Sequence, residues 1–389
     1  MSILWQKPRM HENPTEHRKV SWLELFFDLV FVAVISELVH LLSEHPSMAT
    51  LWNYLFLFIP AWWVWMGATY YNDRFETEGL DSRFFTFLLM IPVAGLAIFA
   101  HHMPHDFSLG YGLCYMFARV FIVMMWMRAS FHEKRFRPVG IILITGYAMS
   151  IVLFIVSLYV GNPIRFILWG IAFACDLLTP TLTLKKQTLL PSFNLSKLPE
   201  RLGLFTLIVI GETIVGVIRG VARHHHFSFK IMSEGIMGVA ISFALWWIYF
   251  DYIAKRPPKS QPKLVFLWSY LHLILVMSIG VVGASLLNVL ISKHHLPSDA
   301  TRHLLTGSLA MSLIFMSLIE MVLKKDPREE KVLMVSTGLK FLAAIFVLFL
   351  GFFGHWIHSL ALLSLIFGAL LLPMGYCIYG WVNDYQAIK

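Results

Sequence analysis

Residues 264–291 read LVFLWSYLHLILVMSIGVVGASLLNVLI, a run with no aspartate, glutamate, lysine or arginine in it. At about 1.5 Å of rise per residue, a helix of roughly 20 residues crosses a hydrocarbon layer of about 30 Å, and this run is longer. Similar runs recur on either side, near residues 21–43, 50–72, 83–102, 108–130, 138–160, 164–184, 200–222, 231–254, 302–323, 332–353 and 356–380, twelve in all. The chain is 58% hydrophobic and 14% charged, whereas soluble domains run near 45–50% and 25%. These observations exclude a soluble enzyme and predict an all-α fold: a polytopic integral membrane helical bundle of about twelve transmembrane helices.

The first twenty residues are polar, contain Pro8 and Pro14, and lack the basic, apolar and small-residue succession of a cleaved leader, so the first run is expected to stay as a span. Cys114, Cys175 and Cys377 all fall inside runs and form no CxxC pattern, which points to buried thiols rather than disulfides or a thiolate metal site. With the N-terminus in the cytoplasm, 23 of the 31 lysines and arginines lie on the cytoplasmic side and six on the other. This is the positive-inside pattern of a multi-pass protein of the bacterial cytoplasmic (inner) membrane, the plasma membrane, with both termini cytoplasmic. The net charge of +8 then reflects orientation, and nucleic acid is not among the expected partners.

One fixed offset of 184 residues places Asp28 on Glu212, His40 on His224 and Trp62-Trp63 on Trp246-Trp247. The chain therefore divides into a cytoplasmic segment (1–20), a first six-helix repeat (21–195) and a second (196–389). Repeats of like orientation place functional sites where the halves meet, near the membrane midplane.

Five ionisable residues sit well inside spans: Asp28, Arg119, Asp176, Glu212 and Lys340. On lipid-facing helices they would cost on the order of 12–17 kcal/mol together, so they are expected to face protein or water. Glu24 and Asp28 share a helix face, with Ser21 below them, whereas Glu37 points half a revolution away from Asp28 with His40 as its neighbour. In the seventh span Glu212, Gly216 and Gly220 form one stripe, where another helix is expected to approach closely. Arg119 shares a face with Tyr111 and Tyr115 and has no acid in its own helix; Asp28 or Glu212 is the expected partner. Lys340 and Glu320 are expected to pair. The candidates for a pathway or for ion coupling are thus Asp28, Glu212, Glu24, Arg119, Glu37 and Asp176.

Thirteen of the 17 histidines fall in outer loops or at the span ends beside them. His40, His101, His102, His224, His225 and His226 are candidates for pH sensing, because free imidazole titrates near 6.5, or for binding a transition metal. No HExxH motif accompanies them, so no metal and no cofactor is assigned.

The stretch Ser21-Trp22-Leu23-Glu24-Leu25-Phe26-Phe27-Asp28-Leu29-Val30-Phe31 resembles the opening signature of the bacterial low temperature requirement protein A (LtrA) family. The resemblance continues in Ala61-Trp62-Trp63-Val64-Trp65, in Tyr71-Asn72-Asp73-Arg74-Phe75, in Glu200-Arg201-Leu202-Gly203-Leu204-Phe205 with Gly211-Glu212, and in Leu245-Trp246-Trp247-Ile248-Tyr249-Phe250-Asp251. Lys197 stands where the family often has a histidine. The resemblance implies an integral membrane protein named for growth in the cold and supplies no mechanism. A fainter similarity, to potassium channels of the transmembrane 175 type, rests on two six-helix repeats and the early Phe-Phe-Asp element; the seventh span lacks a second such element.

Three function classes follow. The first is a transporter or channel whose buried carboxylates line a pathway between the repeats, moving an ion or small molecule. The second is a membrane sensor or assembly protein reading external pH or metal without transport. The third, an intramembrane lipid-modifying enzyme, lacks any HExxH or GxSxG constellation, so the chain is expected not to be an enzyme. Besides the lipid bilayer, a homo-oligomer is compatible with the sequence.

Overall fold

The computed structural model describes residues 19–388 except 76–78, 101–107, 225, 227, 255, 293–295 and 325–329. Among the described residues there are twelve long helices and no β-strand: α1 (Trp22–Glu44), α2 (Met48–Phe75), α3 (Leu80–Ala100), α4 (Ser108–His132), α5 (Arg137–Ser157), α6 (Ile164–Leu182), α7 (Lys197–Ala222), α8 (Phe229–Tyr249), α9 (Pro262–Leu290), α10 (Asp299–Val322), α11 (Glu330–Phe353) and α12 (Ser359–Ile388). All twelve lie on the expected spans. Eleven are long and apolar enough to cross a membrane; α2, at 28 residues, is long enough but less apolar. Its tryptophans 52, 62, 63 and 65, with Asn53 and Tyr54, lower its mean hydropathy, yet residues 60–71 are buried. Its interior is polar because it sits inside protein.

Helix starts follow ordinary capping chemistry. Ser21 and Glu24 form a reciprocal capping box at α1: the Glu24 N–H donates to Ser21 Oγ at 3.3 Å and the Ser21 N–H to Glu24 Oε2 at 3.1 Å. Ser228 and Ser298 cap α8 and α10 through the N–H groups of Ile231 and Thr301. Pro60, Pro92, Pro180 and Pro373 lie inside helices, as neighbouring helices in a membrane protein allow.

The chain groups into two compact units. The first holds residues up to Leu38, Phe56–Glu200 and Ser260–Phe266; the second holds Val39–Leu55, Arg201–Lys259 and the residues from Leu267 onward. In the first, α3, α4, α5 and α6 pack in chain order. Small residues set their spacing: a Cβ on Gly140 would stand 1.9 Å from Ser130 Oγ, and one on Gly146 2.1 Å from Thr179 Oγ1. Within this unit α2 is the hub. Trp65 Nε1 donates to Asp28 of α1, Trp63 Nε1 to the Asp176 carbonyl of α6, and Tyr111 of α4 to the Leu57 carbonyl.

In the second unit α10 packs on α11, α11 on α12, and α12 on α8. Helix α9 is buried along 94% of its apolar window, the behaviour of a helix apolar on all sides. The close approach expected beside Glu212 occurs against α9: a Cβ on Gly216 would stand 2.4 Å from the Gly283 carbonyl oxygen, and one on Gly283 3.0 Å from that of Glu212.

Candidate functional site: the buried charges

Two clusters of charge lie inside the first unit. At the entry of α1, Glu24 is 4% exposed and its Oε2 lies 2.9 Å from Lys197 Nζ at the start of α7. The same oxygen accepts from Ser21, so one carboxylate both caps α1 and holds an ammonium. One helical turn deeper, Asp28 is 1% exposed and its Oδ1 accepts the Trp65 indole at 2.7 Å. Glu24 and Asp28 therefore do share a face, and that face looks into protein.

The second cluster is a clamp around Asp176 of α6. Arg119 Nε donates to Oδ2 at 2.9 Å and Nη2 lies 2.8 Å from Oδ1, with both side chains at most 1% exposed. Tyr115 and, at 2.9 Å, Ser150 donate their hydroxyls to Oδ2. The guanidinium stacks 4.3 Å over the Tyr147 ring. Helices α4, α5 and α6 are thus joined through one carboxylate. The charged hydrogen bond from Nε and the close approach of Nη2 to Oδ1 make this a buried ion pair, neutral as a whole, as burial in a membrane requires.

This corrects the sequence-based pairing. Arg119 takes Asp176 as its partner, where Asp28 or Glu212 was expected. The sequence shows that Arg119 needs an acid from another helix, but not which helix lies beside it, and Asp176 was placed among the pathway residues.

Glu212 belongs to the second unit, where it is 6% exposed at the Gly216–Gly283 crossing, within electrostatic reach of Tyr54. Lys340 donates to Glu320 and, at 2.8 Å, to Ser336, and lies 4.3 Å over the Tyr252 ring, so the expected pair forms. Glu37 is half-buried on α1. His40 Nε2 lies 3.6 Å from Glu44, and His224 Nε2 bonds the Leu290 carbonyl at 2.8 Å. His226 is exposed, and His101, His102 and His225 fall outside the described residues. Among the described residues no three histidine, cysteine or acidic side chains gather as a metal would require.

The residues that sequence reasoning missed are the partners. Lys197 was read as an orienting charge and as the residue at the family's histidine position, and Trp65 only as part of the Ala61–Trp65 block. A signal was present for each: Lys197 opens a helix, and Trp65 carries a donor that must be satisfied when buried.

A family model described as bacterial low temperature requirement A protein matches residues 19–369. The chain belongs to that family. An uncharacterized protein of Rhizobium meliloti (strain 1021) is 29% identical to this LtrA-family chain over 294 residues, covering 69% of this chain and 68% of the relative. Residues 19–369, matched by the family model, include the residues of the clamp and of the Glu24–Asp28 face. Family membership and the apolar helices together make this a multi-pass membrane protein of the LtrA type.

Proposed function

We propose that this LtrA-family protein is a transporter or channel in the bacterial cytoplasmic membrane, with both termini cytoplasmic, and not an enzyme. In this reading each of two six-helix repeats supplies one membrane-embedded carboxylate, Asp28 and Glu212, that engages the moving ion or the proton coupled to it. The observation that carries the proposal is their burial: Asp28 is 1% and Glu212 6% exposed, each on a helix apolar enough to span the membrane. Carboxylates held inside membrane helices are costly and mark ion and proton pathways by default. Glu24, one turn below Asp28, lies nearer the cytoplasmic end of the same face. Arg119 and Asp176 act in this reading as the scaffold.

The test is flux in proteoliposomes containing wild-type protein, Asp28→Asn, Glu212→Gln and the double variant. With potassium and proton gradients imposed in turn, loss of flux in both single variants supports the assignment. A wild-type flux that survives in the double variant removes both acids from the pathway.

A further inference from the structure

A small cavity in the first unit, about 20 Å³, is bounded by α2, α4, α5, the C-terminal end of α6 and the segment that follows α6. Its polar lining comes from Tyr70, Arg74, Tyr147, Thr183 and Gln187, and no lining residue is an aspartate or glutamate. Arg74 is 3% exposed. Its Nη2 donates to Gln187 Oε1 at 2.6 Å, and its guanidinium carbon stands 3.8 Å over the Phe193 ring. Nε and Nη1 are buried and have no hydrogen-bond acceptor.

Two of the oxygens on the wall are already engaged, and the Tyr70 and Tyr147 hydroxyls complete its polar lining. Gln187 Oε1 takes Arg74, and Thr183 Oγ1 takes the Gln187 amide while donating its own proton to the Pro180 carbonyl. A second cation stands behind the wall. Gly67 lines the cavity, and a Cβ there would lie 3.3 Å from Arg119 Nη1, the guanidinium nitrogen left over once Nε and Nη2 engage Asp176. That nitrogen, too, has no acceptor. The neighbouring acid Asp73 is turned to the Asn194 N–H, 2.9 Å away, and is not among the lining residues.

The cavity therefore presents charged N–H groups in excess of acceptors. A buried donor without an acceptor is costly, and more so when charged. Water can accept from Arg74, but its own two protons must then go to the Tyr70 and Tyr147 hydroxyls or to the second lone pairs of Gln187 Oε1 and Thr183 Oγ1. A spherical monovalent anion needs only donors. The volume suits one occupant of water to halide size and is too small for phosphate or a metabolite carboxylate. We propose that this cavity is a binding site for a halide-sized monovalent anion, held by the two N–H groups of Arg74 that have no acceptor. The site is independent of the transport reading, since binding requires no flux.

The full chain in neutral detergent provides the test, with bromide as the probe. At equal ionic strength, thermal unfolding in sodium bromide should occur about 2 °C or more above that in sodium gluconate. Crystals soaked in bromide should show an anomalous peak within about 3.5 Å of Arg74 Nε or Nη1. In Gln187→Glu a carboxylate takes the anion's place against Arg74, so the bromide increment should vanish while the gluconate Tm is maintained or raised. The proposal is overturned by a wild-type Tm that does not distinguish bromide from gluconate, by density beside Arg74 without anomalous signal, or by an increment unchanged in Gln187→Glu. Should that variant fail to fold, the two wild-type measurements decide.

Discussion

Replacing Asp176 by asparagine keeps the shape of the clamp and removes half of its charge. Arg119 is fully buried, and its Nε and Nη2 lie 2.9 and 2.8 Å from the two carboxylate oxygens. In the variant one amide oxygen still accepts, but the NH2 group faces a cluster of donors, and the guanidinium is left uncompensated. Breaking a buried pair from one side costs about 3–5 kcal/mol, a large part of a typical net stability of about 5–15 kcal/mol. Ser150→Ala, which removes one of the four contacts to the carboxylate, should cost about 1 kcal/mol. Arg119→Gln combined with Asp176→Asn removes both charges and should be less destabilised than either single variant, giving a coupling energy of about 2 kcal/mol or more. Reversible unfolding in mixed micelles, followed by circular dichroism, measures all four proteins. The account of the clamp is wrong if Asp176→Asn loses less than about 1 kcal/mol, or if the two single losses add to within about 0.5 kcal/mol.

The crossing of α7 and α9 makes a steric prediction: Gly216→Ala drives a methyl group to 2.4 Å from the Gly283 carbonyl oxygen and should lose about 1–3 kcal/mol in the same assay. Gly307→Ala, where nothing lies within 4 Å of the added carbon, should be neutral or slightly stabilising. The proposed orientation predicts that, in a variant lacking the three native cysteines, a cysteine at Lys134 is protected from an impermeant thiol reagent on intact cells. A cysteine at Arg165 should react, and the reverse pattern would invert the assigned topology.

Element existence was legible because solvent dictates it: twelve apolar runs have the length a bilayer demands, and each became a helix. The limits of the reading appear at α2, whose tryptophans and tyrosines lower its hydropathy although its middle is buried. Hydropathy measures exposure to lipid, and a helix packed inside protein escapes that constraint. The glycine stripe beside Glu212 was legible for a local reason, since residues four apart share a face and small residues admit a second backbone. Lys340 and Glu320 were also paired correctly, from adjacent helices joined by a short connection. Arg119 was not, because a contact between α4 and α6 depends on how α5 folds back, which no spacing within one helix records. Lys197 shows a different blind spot: a lysine at the end of a span fits the expected orientation and gives no sign that its ammonium is buried on Glu24.

The positions of the arginines on α4 carry a consequence for motion. Arg119 and Arg128 are nine residues apart, half a revolution at about 100° per residue, so they leave the helix on opposite sides. One side reaches Asp176 on α6 and the other reaches Asp81 on α3, and both pairs are buried. Helices in lipid gain no hydrophobic drive to associate, so packing of small residues and polar contacts sets which neighbours they choose. Here the two pairs fix α4 on both sides, and Gly140 against Ser130 brings α5 onto the same helix. Separating α4 from α3 and α6 would break both pairs, at about 6–10 kcal/mol if each costs about 3–5 kcal/mol, comparable with the stability of a whole domain. On the transport reading proposed above, α3, α4 and α6 would move as one block held by these pairs.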